Sequence, residues 1–581
     1  MAFSNIENIY RSVSAESEAI KRVVYLYQDA HVNLALKKKL IFELSRFYFL
    51  NTLLNELGKQ LSFKSFYFVP GDGNIFNPIN NDPLSSYNQL LKLVKKNKPS
   101  SLKETNCSFP LWYVCFSFMR NICEISVFYL KLSGFLILLT YSYLFKKNTA
   151  KAKCKNYKYL ISIMAPRRQF SNQVQKVDFL VDEKYIRKED TLFFYAKKLK
   201  DEYLEYCERN GLNLIDGFFQ QFDFNKAEIR KVFKEVFKTL LSRPIMVHSV
   251  REGVLESFLF YIWWQTFADK YAVKNFIGYH DFSSQAICRN IILKKKTRTK
   301  TWFYLDSGSS AAFFRTKQED ELYRSFHFMY LYFDYFPYWS EPLVSYFKDH
   351  DLAVDKYLAT GCLWSEHVRL ISEKVIRSDL LERLESFGFK DGHKIIAVFD
   401  SSYDYDVIDS YEHGIAFIQD ILRLADDVPE AFIIFKEKKA RSYVRKYCPA
   451  LARLYESLQN HARFYLPPDA GSTSEAIAFS DLTISFPFTS TTVEALAARK
   501  KALFYDPSGR LKSIFYDNIP DLVCHGYDNL LAMTKRLLFE AKTGEYDLYL
   551  DRFIKGNIDP FLDGKGITRF REFINYYNNV V

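Results

Sequence analysis

Four hydroxyl-bearing residues in succession, Thr489-Ser490-Thr491-Thr492, stand just ahead of Glu494 in the C-terminal half of the chain. They follow the strand-like segment 482–485 and open a stretch with helical spacing, which places them at a strand-to-helix junction. Hydroxyls and free N–H groups at a helix start can donate to phosphate oxygens, and a first-turn glutamate can accept from the two hydroxyls of a ribose. An ordinary Ser/Thr N-cap followed by a glutamate gives the same pattern.

Polar residues also follow two other apolar segments of this half. Lys436 comes directly after residues 431–435, and Ser401 and Ser402 come directly after residues 394–400. A cation at a strand end can neutralise a phosphate leaving group, and a polar turn there can contact a bound nucleotide. A surface lysine and a plain polar turn are the alternatives. We expect Lys436, Ser401 and Ser402 to contribute to the same site.

The elements that would position these residues alternate between strand and helix. Apolar segments with strand character lie at 394–400, 431–435, 462–466, 482–485 and 502–505, and helical patterns separate them. This order predicts a doubly wound parallel sheet, in which ligands bind outside the carboxyl ends of the strands. We expect a C-terminal domain over 386–530, followed by helices over 531–581 that pack back across the domains.

The N-terminal half shows the same alternation. Strands are predicted at 22–27, 65–69, 159–163, 177–181 and 191–195, and helices at 226–241 and 253–271. These patterns predict a first parallel sheet in an N-terminal domain over 1–385. Residues 82–156 interrupt it as an aromatic-rich helical insertion.

Within the insertion, residues 109–145 are dominated by aromatic and aliphatic side chains, and lysines recur between 146 and 155. The longest uncharged run, 132–145, falls short of the roughly 20 residues that a spanning helix needs. An in-plane or re-entrant membrane contact, with the basic flank facing anionic headgroups, is the favoured interpretation. A membrane span and burial within an inserted subdomain are the alternatives.

Composition bounds the class of protein. The chain has 581 residues and a net charge of +12, which favours two or three domains and anionic partners. Its lysines are scattered and no recognition module is visible, which argues against nucleic-acid binding. The 9 cysteines form no Cys-x-x-Cys pair, so neither a zinc site nor a disulfide framework is indicated. With no signal-peptide pattern at the N-terminus, a cytoplasmic location is expected.

Residues 489–507, TSTTVEALAARKKALFYDP, resemble the donor-site segment of GT-B glycosyltransferases. The shared pattern is a polar loop, then Glu-Ala-x-Ala, then a strand ending in Asp-Pro. The resemblance implies an α/β fold with two Rossmann-like domains facing a cleft. It implies that Ser490, Thr491 and Thr492, in the loop opened by Thr489, contact the nucleotide phosphates and that Glu494 holds the ribose.

Two positions depart from this pattern, because Arg499 stands where many members have glycine and Lys501 where many have proline. These departures leave the donor type open. Further stretches resemble a bacterial surface-polysaccharide biosynthesis family of the same fold, and together they extend the resemblance over roughly 155–520. They are residues 177–182, 289–292, 300–304 and 361–366.

The resemblance implies a glycosyltransferase that uses a nucleotide sugar and a glycan or lipid-linked acceptor in surface polysaccharide or lipopolysaccharide biosynthesis, at the cytoplasmic face of the inner membrane. Inverting transfer needs a general base, for which His248 and Asp281 are candidates, although each can equally be structural. Arg289 can bind an anionic acceptor or pair with a carboxylate. No cofactor and no metal are expected, and the Asp-x-Asp sequences at 349–351 and 404–406 are interpreted as solvated turns.

Three other functions fit the same features. A polyol-phosphate transferase of the teichoic-acid type and a nucleotide-sugar epimerase share the architecture. A membrane-peripheral scaffold without catalytic activity would use the apolar insertion and the positive charge equally well.

Overall fold

The structure is a computed structural model that describes residues 130–579 apart from the following gaps: 131–132, 135, 145–153, 164–165, 172–176, 219–223, 242–259, 261, 280–283, 308–330, 349–352, 402–410, 439–440, 468–471, 488 and 510–514. The strands predicted at 22–27 and 65–69 lie outside the described residues, as does most of the insertion at 82–156.

The first sheet has seven parallel strands in the order β3-β2-β1-β4-β5-β6-β7. They are β1 (Lys155–Ser162), β2 (Thr191–Phe194), β3 (Asn213–Ile215), β4 (Tyr271–Tyr279), β5 (Lys300–Tyr304), β6 (Tyr332–Tyr338) and β7 (Ala353–Ala359). The helices between them are α1 (Pro166–Ser171), α2 (Asp201–Arg209), α3 (Lys226–Leu241), α4 (Ser284–Thr297) and α5 (Glu341–Lys348). The order turns around β1, as in a Rossmann-like sheet.

The second sheet has six parallel strands in the order β10-β9-β8-β11-β12-β13. They are β8 (Lys394–Phe399), β9 (Ala431–Lys436), β10 (Phe464–Tyr465), β11 (Leu482–Ser485), β12 (Ala502–Asp506) and β13 (Val523–His525). The helices before and between them are α6 (Ser365–Ser372), α7 (Leu380–Ser386), α8 (Tyr411–Asp427), α9 (Arg441–Tyr447), α10 (Pro449–Gln459), α11 (Thr473–Phe479) and α12 (Ser490–Ala497). Strands β8, β9, β11 and β12 are buried along almost their whole length, because helices cover both faces of a parallel sheet.

The chain ends in a helical segment that contacts both sheets' domains. It comprises α13 (Tyr527–Lys535), α14 (Thr543–Tyr549) and α15 (Gly566–Asn579), with single π-helical turns at Arg536–Glu540 and Leu550–Ile554. The α13 helix packs on α8 of the second domain. In α15, the guanidinium of Arg571 donates to the backbone carbonyls of Phe179 and Leu180 in the first domain.

These Arg571 contacts correct one strand prediction. Residues 177–180 form a turn and not a strand. Their apolar side chains are buried, but against other parts of the domain, since the Phe179 ring packs on Trp364 with ring centroids 5.1 Å apart. Their carbonyls bond to Arg571 and not to a neighbouring strand, so apolar content alone misidentified this segment.

Candidate functional site

The order of the second sheet reverses between β8 and β11, which are neighbours although two strands separate them in sequence. In open parallel sheets ligands bind in the crevice at such a reversal, outside the carboxyl ends of the strands. Helix α12 begins at this edge, separated from the end of β11 by four residues, with Thr489 as its N-cap. The Thr489 side chain makes no capping hydrogen bond. The first N–H groups of α12 therefore stand at the crevice, as the hydroxyl-rich sequence predicts.

The structure separates the hydroxyls of this loop into two kinds. The Thr492 hydroxyl lies 2.6 Å from the Ser485 hydroxyl and donates to the Leu503 carbonyl at 3.0 Å, so it ties β11, α12 and β12 together. The Thr491 hydroxyl is buried and has no hydrogen-bond partner within the described protein. An unmet buried hydroxyl at a helix start is a ready donor or acceptor for a ligand. Thr492 is thus engaged in packing, while Thr491 remains suited to phosphate.

Glu494 lies one turn into α12 and is 4% exposed. Its carboxyl group faces Cys362, which follows β7 in the first domain. Burial raises the pKa of the Cys362 thiol well above its ordinary value, and the nearby charges of Glu494 and Asp559 raise it further. The glutamate therefore sits where the two domains meet.

Contacts between the domains surround the start of α12. Ser307, three residues beyond β5, is hydrogen-bonded through its hydroxyl to the hydroxyl of Ser490. Next to it, the indole N–H of Trp364 donates to the Asp306 carbonyl at 2.7 Å. Helix α6, which begins right after Trp364, packs on α11 and α12. The carboxyl edge of the first sheet therefore faces the carboxyl edge of the second, with α12 between them.

The ends of β8 and β9 form the other wall of the crevice. Asp400 is buried, and its carboxylate accepts from the Tyr455 hydroxyl and from the Ser401 N–H at 2.7 Å. Burial and the Asp400 charge raise the pKa of the Tyr455 hydroxyl. Lys436 ends β9, and its carbonyl accepts from the Asp400 N–H at 3.2 Å. Ser401 and Lys436 thus lie at the same edge as α12, whereas Ser402 lies outside the described residues.

Arg289 has a different environment from the one expected of an acceptor-binding residue. It lies on α4 and is 5% exposed, and its guanidinium stacks on the Phe276 ring with 3.8 Å to the ring centroid. Two of its nitrogens donate to the Asn290 side-chain oxygen at 3.0 and 2.9 Å. These contacts make Arg289 part of the packing of the first domain, and its acceptor-binding role stays a prediction. The proposed bases His248 and Asp281 lie outside the described residues.

One ionisable group at this sheet edge is not predicted by the sequence pattern. His525 ends β13, and its ring nitrogens lie 3.1 Å from a carboxylate oxygen of Asp506 and 2.8 Å from one of Asp517. Asp506 is fully buried at the end of β12 and also accepts from Ser508. The parallel pairing of β12 with β13 brings these residues together, and their sequence spacing gives no sign of it.

The two departures from the donor-site pattern have structural reasons. Arg499 follows α12 with φ at 59°, in the left-handed region that glycine adopts most easily. Its guanidinium pairs with Asp547 at 2.9 Å and Asp551 at 3.0 Å. Lys501 donates to the carbonyls of Leu537 and Ala541 at 2.6 and 3.0 Å. Both side chains hold the C-terminal segment against the second domain, so neither is part of the crevice.

Two Rossmann-like sheets whose carboxyl edges face each other, with a helix N-terminus at the reversal point, define an α/β protein of the GT-B architecture. The chain belongs to the family of polysaccharide biosynthesis PFTS motif proteins, whose family model matches residues 229–534. No curated protein matches the chain.

Solved structures of similar architecture share little sequence with it. A putative UDP-N-acetylglucosamine 2-epimerase from Listeria monocytogenes is 12% identical, with 73% of this chain and 97% of that chain covered and a TM-score of 0.42. An alpha,alpha-trehalose-phosphate synthase (UDP-forming) from Burkholderia vietnamiensis is 12% identical, with 72% and 100% covered and a TM-score of 0.39. The wall teichoic acid polymerase TagF is 10% identical, with 72% and 88% covered and a TM-score of 0.39.

Proposed function

We propose that this protein is a glycosyltransferase of polysaccharide biosynthesis that binds a nucleotide-activated sugar at the start of α12. The observation that carries the proposal is the unpartnered, buried hydroxyl of Thr491 in the first turn of that helix. Phosphate oxygens would accept from this hydroxyl and from the free N–H groups of the turn, and the positive end of the helix dipole favours their charge.

The remaining groups take roles around this phosphate position. Ser490 would contact the phosphates from the side of the first domain, because its hydroxyl reaches Ser307 there. Glu494 would accept from the two ribose hydroxyls. Lys436 and Ser401 would lie on the far wall, where a cation can offset the charge that develops on a departing nucleoside diphosphate.

The acceptor would enter from the side of the first sheet. In an inverting transfer, the hydroxyl of a glycan or lipid-linked glycan needs a base to take its proton as the new glycosidic bond forms. His248 and Asp281 stay candidates for this base. Asp306 is a third, since it is a buried carboxyl group next to Ser307 at the cleft edge. Replacing each by its amide or by alanine, and comparing the turnover rate at saturating donor, would identify which one acts.

The test of the proposed reaction is an assay of the full chain with a panel of UDP-, GDP-, CMP- and CDP-linked donors and a membrane extract as acceptor source. Release of nucleotide that depends on the acceptor, with the labelled sugar moved to it, is the expected result. Release of CMP from a CDP-polyol would instead identify a polyol-phosphate transferase. Interconversion of the sugar on the nucleotide would identify an epimerase, and a scaffold would bind no nucleotide at all.

A further inference from the structure

A helix at residues 136–144 lies on the first domain and carries apolar residues on both its buried and its exposed side. Leu139 is fully buried, and Leu136 and Tyr143 pack beside it against the core. The opposite side carries large apolar residues in contact with water, at positions i, i+1, i+4 and i+7 of one helical face. They are Ile137, Leu138, Tyr141 and Leu144, with exposures of 68, 50, 63 and 63%.

Contacts at the end of this helix locate it on the domain. The Tyr143 hydroxyl accepts from two nitrogens of Arg230 at 3.0 and 2.8 Å, and the Lys226 ammonium lies 5.5 Å from its ring centroid. Both cations belong to the start of α3. That turn of α3 is fixed by Glu228, which accepts from Thr266 at 3.1 Å, five residues before β4 begins. The exposed apolar stripe therefore lies toward the amino-terminal edge of the first sheet.

The same sheet carries exposed cations from this edge to the middle of its last strand. Exposed cations follow one another across β1, β4, the end of α4 and β7, and these strands lie side by side in the half of the sheet from β1 to β7. They are Lys155, Lys274, Lys295, Arg298 and Lys356. The acidic groups are fewer, since Asp269 pairs with Lys296 at 2.7 Å and Asp334 with Lys294 at 2.5 Å. Asp355 stands beside Asp334, and its carboxyl pKa is raised by burial and by that neighbour.

We propose that this apolar stripe and these five cations form one docking surface for an anionic lipid bilayer. Large apolar side chains beside lysine and arginine suit the boundary between acyl chains and anionic headgroups, where each type of group finds its own partner. A soluble polyanion would use the cations but leave the apolar stripe in water. Across the part of the chain that the structure describes, helices are too short or too polar to cross a membrane.

This mode of docking sets the orientation of the cleft. The cleft lies at the carboxyl edge of the first sheet, at the opposite end of its strands, so it would stand roughly 15–30 Å from the headgroups. A lipid-linked acceptor would then reach the cleft with the distal end of its glycan. The donor crevice and the docking surface share no residue. Loss of vesicle binding and loss of donor binding can therefore be observed separately.

Flotation of the full chain with phosphatidylcholine vesicles, with and without about one third phosphatidylglycerol, tests the proposal. We expect binding to the anionic vesicles and at least about tenfold weaker partitioning to neutral ones or at high salt. The edge variant Lys274→Gln/Arg298→Gln/Lys356→Gln should partition at least about tenfold more weakly to anionic vesicles than the wild type. The stripe variant Ile137→Ser/Leu138→Ser/Leu144→Ser should show a similar loss.

The matched control is Lys197→Gln/Lys198→Gln/Lys200→Gln, which removes three exposed lysines beyond the carboxyl end of β2. It should keep full vesicle binding, and all variants should keep the wild-type circular dichroism spectrum. Equal loss in the control variant, unchanged binding in both test variants, or no binding to anionic vesicles would overturn the proposal. The proposal would also be overturned if the chain bound a soluble anionic polysaccharide but no vesicles. The same holds if the chain formed a dimer that dissociates in the stripe variant.

Discussion

Thr491 and Thr492 are consecutive residues in the first turn of α12, yet their hydroxyls have opposite surroundings. The Thr492 hydroxyl is bonded within the domain to Ser485 and Leu503, and the Thr491 hydroxyl has no partner within the described protein. A threonine-to-valine change removes the hydroxyl at nearly constant volume. The same change at these two adjacent positions should therefore affect donor affinity at Thr491 and stability at Thr492.

For Thr491→Val, we expect the free energy of unfolding to stay within about 0.5 kcal/mol of the wild type, because no protein hydrogen bond is lost. The dissociation constant of the nucleotide donor should rise about tenfold, as for a lost hydrogen bond to a charged group. Thr492→Val should instead lower the free energy of unfolding by about 1–2 kcal/mol and leave donor affinity unchanged. Denaturant titration and calorimetric binding measure both quantities, and a reversed pattern would refute the assignment.

Glu494→Gln tests the ribose contact. A carboxylate that accepts from both ribose hydroxyls should make the wild type prefer a ribonucleotide over its 2′-deoxy analogue, and the amide should lose most of that preference. Glu475→Gln is the matched control, because Glu475 is also buried in the second domain but bonds to Ser378 and Arg383. It should lower stability without changing the preference. An unchanged preference in Glu494→Gln would count against the ribose role.

Gly361→Ala should destabilise the contact between the first domain and the C-terminal segment. A Cβ at Gly361, where φ is 75°, would lie 2.5 Å from a carboxylate oxygen of Asp559. That carboxylate is held by the N–H groups of Cys362, Phe561 and Leu562, at 2.6 to 2.8 Å, and has little room to move. We expect a loss of more than about 2 kcal/mol in the free energy of unfolding.

Gly526→Ala serves as its control, since Gly526 has φ at 76° but open space around it. Only the backbone strain should appear there, about 1–3 kcal/mol for a residue with φ at 76° and ψ at 162°, and the loss in Gly361→Ala should be larger. Similar losses in both variants, measured by denaturant titration, would show that the Asp559 contact does not constrain Gly361.

Arg499 can be replaced by either glycine or alanine to separate its backbone from its charge. Both changes remove the ion pairs with Asp547 and Asp551. Alanine also keeps the strain of the left-handed backbone, so Arg499→Ala should be about 1 kcal/mol less stable than Arg499→Gly. Equal stability of the two variants would contradict the left-handed conformation at this position.

The same variants carry a pH signature. The hydrogen bond from Arg499, and then its charge, lower the pKa of Asp551 below the ordinary value. At about pH 4 the Asp551 carboxyl group therefore binds fewer protons in the folded state than in the unfolded state. Stabilisation from the pair is present above the unfolded pKa and is lost as pH falls through the lower folded pKa. Wild-type stability should drop more steeply than that of either variant on acidification below about pH 5, as followed by thermal unfolding.

How far the sequence predicts this molecule depends on whether the relevant residues are contiguous. Strands β8, β9 and β12 are apolar over most of their length, and β11 alternates apolar and hydroxyl-bearing residues, so their predictions are confirmed. Strand β4 contains Lys274 and Asn275, and β6 contains Pro337, so neither has the uniform apolar pattern of a buried strand. The run at 177–181 has that pattern but bonds to Arg571 instead.

For the site, too, the residues that are contiguous in sequence are the ones that could be predicted. Thr489 to Glu494 lie in one continuous segment, and the structure places them together at the predicted sheet edge. Ser307 and Cys362 approach α12 only through the contact between the two domains, and His525 meets Asp506 only through the pairing of β12 with β13. Single-sequence patterns encode neither kind of contact. The charge of Arg289 suggested anion binding. Its contact with the Phe276 ring depends on the tertiary fold and could not be predicted from the sequence.

The central claim is that a nucleotide-activated sugar binds at the start of α12. Calorimetric titration of the full chain with UDP, GDP, CDP and CMP, repeated on the double variant Thr491→Val/Glu494→Gln, tests it most directly. We expect at least one nucleotide to bind the wild type, and its affinity to fall by about a hundredfold in the double variant. Wild-type affinity in that variant, or no binding of any nucleotide to the wild type, would contradict it.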